Sequence, residues 1–599
     1  MLPLAVLLMA GRVSAQATPS SASAPASVPG ARAGSAAERL RALFAEDWER
    51  RLRENPLMAT QFGDRRYNDR LPFVGLADQR RMLADDRAIL ARLLAIPRDS
   101  LQGEDLTNYD VFRRLREDDI AEAEYLGYLI PITNREGFHT YFPELPTEVP
   151  LATVRDYEDY VARLAAFRTM ARQNIELMRE GIRVGMVLPR VSVEGIEASI
   201  TPHVVDDPTK SLLYAPFARF PATVPDSARG RLERAGRQAI ASSVVEGYRE
   251  FGQFIAREYL PATRATIGAS ALPNGRAYYA SRVRQFTTLD VTPAEVHRTG
   301  LAEVARIRAA MDSVMRSTRF TGTFAQFTQM LRTDPRFYVD SPERLMERYS
   351  LILKRMDGQL PTLFGRLPRQ PYGIKPIPDY IAPRTTTAYY GQGNPDGTRA
   401  GTYWVNTYDL KSRPTYEMES LSFHEAVPGH HLQIALAQEM TGMPEFRRVA
   451  SFTAFVEGWA LYAESLGKEA GFYTDPYSYF GHLSYDAWRA CRLVVDTGIH
   501  DQGWTRQQAI DYMAANTGLT LLNVTNEVDR YIAWPGQALG YKEGQLKIRE
   551  LRTYAERELG PRFDIRAFHD VVLGSGAIPL TVLESNVRRW VQQRKAGQA

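Results

Sequence analysis

The chain has 599 residues, a net charge of +4 and a single cysteine, Cys491, so no internal disulfide can form and the length suffices for more than one core. Eight of its 74 basic residues are lysine, a skew that reflects a preference for arginine codons. No basic block marks a nucleic-acid surface, which excludes that class of partner.

Leu2 to Ala10 is apolar, and Val13-Ser14-Ala15 places small residues where a signal peptidase cuts. Residues 1–15 therefore read as an export signal, too short to stay in a bilayer as an anchor. No Lys or Arg precedes the apolar run, so the true translation start stays open. No cysteine follows it, so lipid attachment is not expected. The mature chain is expected from Gln16, in the periplasm or secreted and without stable membrane insertion. Residues 16–36 are rich in Ala, Ser, Pro and Gly and form a linker that cannot bury enough apolar surface to fold.

From Ala37 the pattern turns helical, with Leu40, Leu43 and Phe44 on one face, and amphipathic segments recur to about Met178. Gly137-Phe-His-Thr-Tyr-Phe142 reads as an aromatic loop in which His139 either lines a cleft or, the reading we favour, is structural. Gly185 to Val191 reads as a turn. Thr292-Pro-Ala-Glu295 is a clear helix start, with a capping threonine, a proline suited to the first turn and a glutamate that reaches back. Leu301, Val304, Met311 and Met315 then predict a core-facing stripe, with His297 on the surface.

Between Tyr372 and Tyr408 the helical period fails, and β-branched and aromatic residues alternate between glycines and prolines. This predicts a small sheet. Tyr403 to Thr407, ending 17 residues before His424, is expected either to be an edge strand that accepts a substrate backbone or merely to pack on the next helix.

Leu421-Ser-Phe-His-Glu-Ala-Val-Pro-Gly-His-His-Leu-Gln433 holds three of the nine histidines within eight residues, beside a carboxylate. A zinc hydrolase needs neutral imidazoles to hold the ion, a carboxylate to take a proton from the attacking water, and a further acidic ligand from elsewhere. The usual H-E-x-x-H is absent, because Pro428 stands where the second histidine belongs, and proline kinks or breaks a helix. Either Ala426-Val427-Pro428 bulges and His430 returns to the second ligand position, which we favour, or a mild kink leaves His431 in phase with His424. The third ligand is expected in Phe455-Val-Glu-Gly-Trp-Ala-Leu-Tyr-Ala-Glu464. Glu457 is preferred, since an acid among Phe455, Val456 and Trp459 is costly without a cation. Glu464, two turns on, reads as a partner of a ligand histidine or as a solvated acid.

Further on, Arg489, Arg492, Asp496 and His500 share one helical face, which suits substrate carboxylate and transition-state contacts or a salt-bridged surface, with Gly498 a candidate end of the helix. Thr505 to Gln508 repeats the capping-box spacing, and Gly518 closes that helix. Trp534-Pro-Gly-Gln-Ala-Leu-Gly-Tyr541 carries glycines for close approach and a phenol.

The stretches from His424 to Gln433, from Phe455 to Glu464 and from Pro535 to Gly544, with Glu54-Asn-Pro-Leu-Met-Ala-Thr-Gln-Phe-Gly63 as an N-terminal marker, resemble the bacterial family called domain of unknown function 885. The resemblance extends from about Ala37 to the C-terminus. It implies kinship with helical zinc peptidases of the thimet-oligopeptidase and Taq-type carboxypeptidase groups. The implied fold is mainly α, a two-lobed zinc-peptidase-like body over 37–599 with a deep cleft and a small β-sheet next to the metal helix, the active-site part spanning about 372–545.

The expected activity is hydrolysis of peptide bonds in oligopeptides with one zinc per chain, and the choice between endopeptidase and carboxypeptidase action stays open. His424, His430 or His431, and Glu457 would hold the metal. Glu425 would be general base, and Tyr541 or His500 would stabilise the oxyanion. Tyr403, Asn406, Arg489, Arg492 and Gln537 are candidate substrate contacts. Two alternatives remain, a zinc amidohydrolase acting on non-peptide or cell-wall amides and a noncatalytic periplasmic binding protein stabilised by metal. Glu425 argues against the second, since structural zinc has no use for an adjacent base.

Overall fold

Helices begin where the sequence supplies capping boxes. In the computed structural model, which describes residues 35–379, 381–394 and 397–597, Thr153 with Asp156, Thr292 with Glu295 and Thr505 with Gln508 each exchange side-chain and backbone hydrogen bonds across a first turn. The export signal and all but the last two linker residues lie outside the described residues. Among the described residues no helix is long and apolar enough to cross a membrane.

The described chain sorts into two compact units, one of residues 35–265 with Pro444–Arg447 and one of Thr266–Met443 with residues 448–597. In the first, Leu40, Leu43 and Phe44 are buried as their spacing predicts, and Phe44 packs on Phe112 and Phe446 at ring separations of 4.8 and 4.7 Å. The helix Val154–Val184 ends at Gly185, whose φ of +81° closes it. Gly137 to Phe142 is not a loop. Phe138–Tyr141 forms a helical turn, and His139, with no exposed surface, sits in the core against Phe251.

The second unit is built on helix α1 (Pro293–Ser317) and the sheet that follows it. Val304 and Met311 face the core as expected, but Leu301 is exposed. His297 is buried rather than on the surface, its Nδ1 2.8 Å from Thr497 Oγ1. Strands β1 (Tyr372–Pro376), β2 (Ala388–Gly391) and β3 (Gly401–Val405) form one sheet in the order β1-β3-β2, parallel on one side and antiparallel on the other. The strand expected at the edge is thus the central one. Both of its sides are paired, so Tyr403 to Thr407 cannot accept a further strand.

After the sheet come α2 (Met418–Glu425), α3 (His430–Gln438), α4 (Thr453–Glu469), α5 (Pro476–His500), α6 (Leu521–Ala533) and α7 (Leu539–Leu559). Helix α5 is buried at nearly every position from Phe480 onward and runs through Gly498 to His500, because the missing Cβ of Gly498 admits the Trp504 ring. Helices α4 and α7 cross at backbone distance. A Cβ on Gly458 would lie 2.4 Å from Gly544 Cα, and one on Gly544 would lie 1.9 Å from the Ala454 carbonyl oxygen. The glycines therefore set how closely α7 approaches α4.

Candidate metal centre

Proline decides the geometry of the histidine cluster. Helix α2 stops at Glu425, the chain turns out through Ala426 and a cis Val427-Pro428 bond, and α3 restarts at His430. Gly429 is obligatory at the turn, since a Cβ there would lie 2.0 Å from the carbonyl oxygen of His424. Trp459 of α4 holds the turn, its indole N–H donating to the Pro428 carbonyl at 2.9 Å. His430 returns to face His424.

His424, His430 and Glu457 form a group whose ligand atoms all lie within 4.8 Å of one another. Glu457 Oε2 is 3.5 Å from His424 Nε2 and 3.6 Å from His430 Nε2, too long for good hydrogen bonds, and this buried oxygen has no hydrogen-bond partner. Those separations match the edge of a tetrahedron with zinc bonds of about 2.0–2.2 Å, which is roughly 3.3–3.6 Å.

The tautomer also fits. His424 Nδ1 lies 2.8 Å from Glu464 Oε1, so Nδ1 carries a proton and Nε2 is the nitrogen that would give its lone pair to a metal at the centre. Glu464 is held by Ser420 Oγ at 2.5 Å on its other oxygen and by Arg489 Nη2 at 3.5 Å. His482 Nδ1 lies 3.3 Å from the same Ser420 hydroxyl.

Charge points the same way. Glu425, Glu457 and Glu464 bring three formal negative charges to the histidines, against the guanidinium of Arg489 behind Glu464 and that of Arg492 across the Tyr541 ring, so the formal charge of the cluster is negative. Burial disfavours ionisation of both His424 and Glu457. It is outweighed at His424 by Glu457 and Glu464, which push the imidazole up to about 9, and at Glu457 by the two imidazoles, which hold the carboxyl well below its usual range. The pocket thus calls for positive charge. Glu425, next to His424, is half-buried.

His431 is not part of this group. Its Nδ1 lies 2.9 Å from the Tyr390 hydroxyl, its ring packs on Tyr372, and burial pushes its pKa down to about 4. His500 is also displaced from its expected role. Nδ1 accepts the Ala269 amide at 2.9 Å and Nε2 lies 2.9 Å from the Tyr531 carbonyl, so both ring nitrogens are committed to backbone.

Tyr403 is fully buried edge-on against Tyr349, and the Asn406 side chain donates to the carbonyls of Ala382, Thr385 and Thr386, so both serve the sheet and its turn. The Arg489 to His500 face is interior, and Asp496 on it accepts from the Tyr279 hydroxyl at 2.6 Å and the Gly536 amide at 3.1 Å.

Tyr541 stands near Glu457, whose charge helps raise its pKa after burial itself. Its ring is covered by the Arg492 guanidinium at 4.1 Å. Gln537 is buried and accepts from Arg530 at 2.7 Å. Sequence reasoning passed over Ser420, His482 and Tyr390. The signal available was the spacing of His482 seven residues before Arg489 on one face of α5.

A family model described as "Bacterial protein of unknown function (DUF885)" matches residues 56–587. No curated protein matches the chain. A solved structure described as "the putative lipoprotein from Colwellia psychrerythraea" is similar at 29% identity and a TM-score of 0.84, covering 93% of this chain and 100% of that one. A second, "a putative lipoprotein of unknown function from Shewanella oneidensis", shares the fold at 16% identity and a TM-score of 0.69, over 92% and 99% of the two chains.

Proposed function

The chain belongs to the DUF885 family, and from that premise we propose that it is a zinc-dependent peptidase acting on oligopeptides. One observation carries this reading, the convergence of His424 Nε2, His430 Nε2 and the partnerless Glu457 Oε2, with Glu464 fixing the tautomer from behind. Three protein donors at one centre suit a catalytic metal, which keeps a position open, whereas structural zinc closes all four with protein ligands.

Zinc bound there would supply Lewis acidity toward a carbonyl and lower the pKa of water. Glu425 takes the proton of the attacking water and returns it to the leaving amine. Glu464 holds the His424 ring in register. Tyr541 donates its hydroxyl proton in a hydrogen bond to the oxygen that gains charge as the amide carbon becomes tetrahedral. Arg492, stacked on the Tyr541 ring, limits how far the phenol can swing. A helical zinc-peptidase-like body is the fold reading that accompanies this function, and it rests on the resemblance of the motifs.

Export is part of the proposal. It is supported by the apolar start with Val13-Ser14-Ala15 and by the description of both solved relatives as putative lipoproteins. N-terminal sequencing of protein from the native cell should find Gln16 first, and an intact Met1 in a cytosolic fraction would overturn it.

The decisive experiment pairs metal analysis with a peptide-library digest. Alanine at His424, His430 or Glu457 should abolish stoichiometric zinc, alanine at His431 should not, and Glu425→Gln should keep zinc while losing about 10²–10⁴-fold in turnover. Zinc retained by His430→Ala but lost by His431→Ala would refute the ligand set. A zinc-loaded chain that cleaves no peptide would refute the activity.

A further inference from the structure

Helix α5 places Arg492 one turn after Arg489, 3% exposed, with its guanidinium 4.6 Å from the Trp488 ring and 4.1 Å from the Tyr541 ring. Nε donates to the Tyr531 hydroxyl at 3.0 Å and Nη2 to Glu527 at 3.2 Å. Nη1 is buried and meets no acceptor. A guanidinium presents its donors in a fixed fork, so an idle Nη1 beside an occupied Nη2 leaves half a carboxylate-binding edge unused.

The charges around it do not balance. Arg492 and Arg530 share the one carboxylate of Glu527, which also accepts from Arg530 at 3.0 Å and from Tyr531 at 2.7 Å. Gln537 and Tyr531, the other partners, are neutral. Glu527 thus cancels one of the two positive charges, and the other faces Glu457 across the ring of the tyrosine assigned to the oxyanion, so it is left over once a metal bound by His424, His430 and Glu457 takes up that carboxylate. Burying an uncompensated charge is expensive for a protein, and an incoming anion removes the expense.

We propose that Arg492 receives a carboxylate of the peptide substrate, an inference that rests on the peptidase reading above and narrows its substrate class. The stacking distance places the guanidinium within one to two residue lengths, at about 3.3–3.6 Å each, of a carbonyl held by Tyr541. A carboxylate that close to the scissile bond is either the chain terminus, which makes the enzyme a carboxypeptidase, or an acidic side chain flanking the bond. A neutral, amidated peptide supplies neither.

The test uses the full zinc-loaded chain and three peptides of one sequence. The first ends in a free carboxylate, the second in an amide, and the third in an amide with aspartate beside the cleaved bond. At least one carboxylate-bearing peptide should exceed the plain amide by about 10–100-fold in kcat/KM, the scale of one charge-assisted contact.

Mass spectrometry of the products separates terminal release from an internal cut next to aspartate. Arg492→Gln should close the gap through KM, and should that variant fail to fold, the wild-type comparison decides alone. Equal cleavage of all three peptides overturns the carboxylate seat and leaves the peptidase reading standing. Cleavage of none overturns both.

Discussion

Glutamine at position 464 would keep the shape of the metal centre and remove one charge from behind it. Glu464 Oε1 lies 2.8 Å from His424 Nδ1, and Oε2 lies 2.5 Å from Ser420 Oγ. The amide oxygen of glutamine can still accept from Nδ1–H, so the tautomer survives. What is lost is the negative charge that makes the imidazole a stronger electron donor. Outer partners of this kind are worth about 10–100-fold in metal affinity, or about 1.4–2.7 kcal/mol at roughly 1.4 kcal/mol per decade.

A second cost falls on the metal-free fold. Arg489, 4% exposed, loses its carboxylate partner, and breaking a buried pair costs about 3–5 kcal/mol. The 3.5 Å separation places this case at the lower end. Zinc competition against a chromophoric chelator measures the first effect, and denaturant unfolding of the metal-free protein measures the second. An unchanged zinc affinity alongside a lowered stability would refute the positioning role and leave Glu464 a structural residue.

Tyr541→Phe should lower kcat by about 10²–10³ with KM and zinc content nearly unchanged, as removal of one oxyanion donor does; steady-state kinetics on a cleaved peptide checks this. Gly544→Ala forces a Cβ to within 1.9 Å of the Ala454 carbonyl oxygen, so it should destabilise by at least about 1–3 kcal/mol and shift Tyr541 away from Glu457, visible as a lower Tm and a lower kcat. His139 is buried with neither ring nitrogen hydrogen-bonded, and burial pushes it down to about 4 from an unfolded value near 6.5. Between those pH values the unfolded chain holds a proton that the folded one does not. Stability is therefore complete above about pH 6.5 and falls by up to about 3 kcal/mol as pH drops toward 4, and His139→Phe should flatten that part of the unfolding curve.

Local rules were legible wherever one residue type solves one problem. The capping boxes at Thr292 and Thr505, the helical face of Leu40, Leu43 and Phe44, and the acid at Glu457 among apolar neighbours each follow from chemistry within a turn or two. The return of His430 could be read too, since Pro428 forbids a straight helix and Gly429 permits a sharp one. What could not be read depends on partners distant in sequence. Nothing local tells whether Tyr403 lies in a central or an edge strand, because alternation is the same in both, and β1 and β2 determine it. His297 and His500 look alike as polar residues near helix ends, yet Thr497 in one case and the backbone of Ala269 and Tyr531 in the other draw them inside. The Arg489 to His500 face reads as amphipathic, but its partners on α6 and α7 bury it.

The break at Ala426–Gly429 gives the site a mechanical character that an unbroken helix would not have. In a continuous helix, two ligands a turn apart are locked together by backbone hydrogen bonds, and separating them means melting the helix. Here the register between His424 and His430 is held by two hydrogen bonds across the break, the Trp459 indole on the Pro428 carbonyl and the His431 amide on the Ala426 carbonyl at 3.0 Å, so the pair can part by releasing these two while α2 and α3 stay wound. Exchange of a metal bound there would then be a local opening with its own rate, separate from global unfolding. Trp459→Phe removes one of the two hydrogen bonds and should speed zinc dissociation, and because the indole is fully buried against Phe364, Tyr462 and His569 it should lower the melting temperature as well.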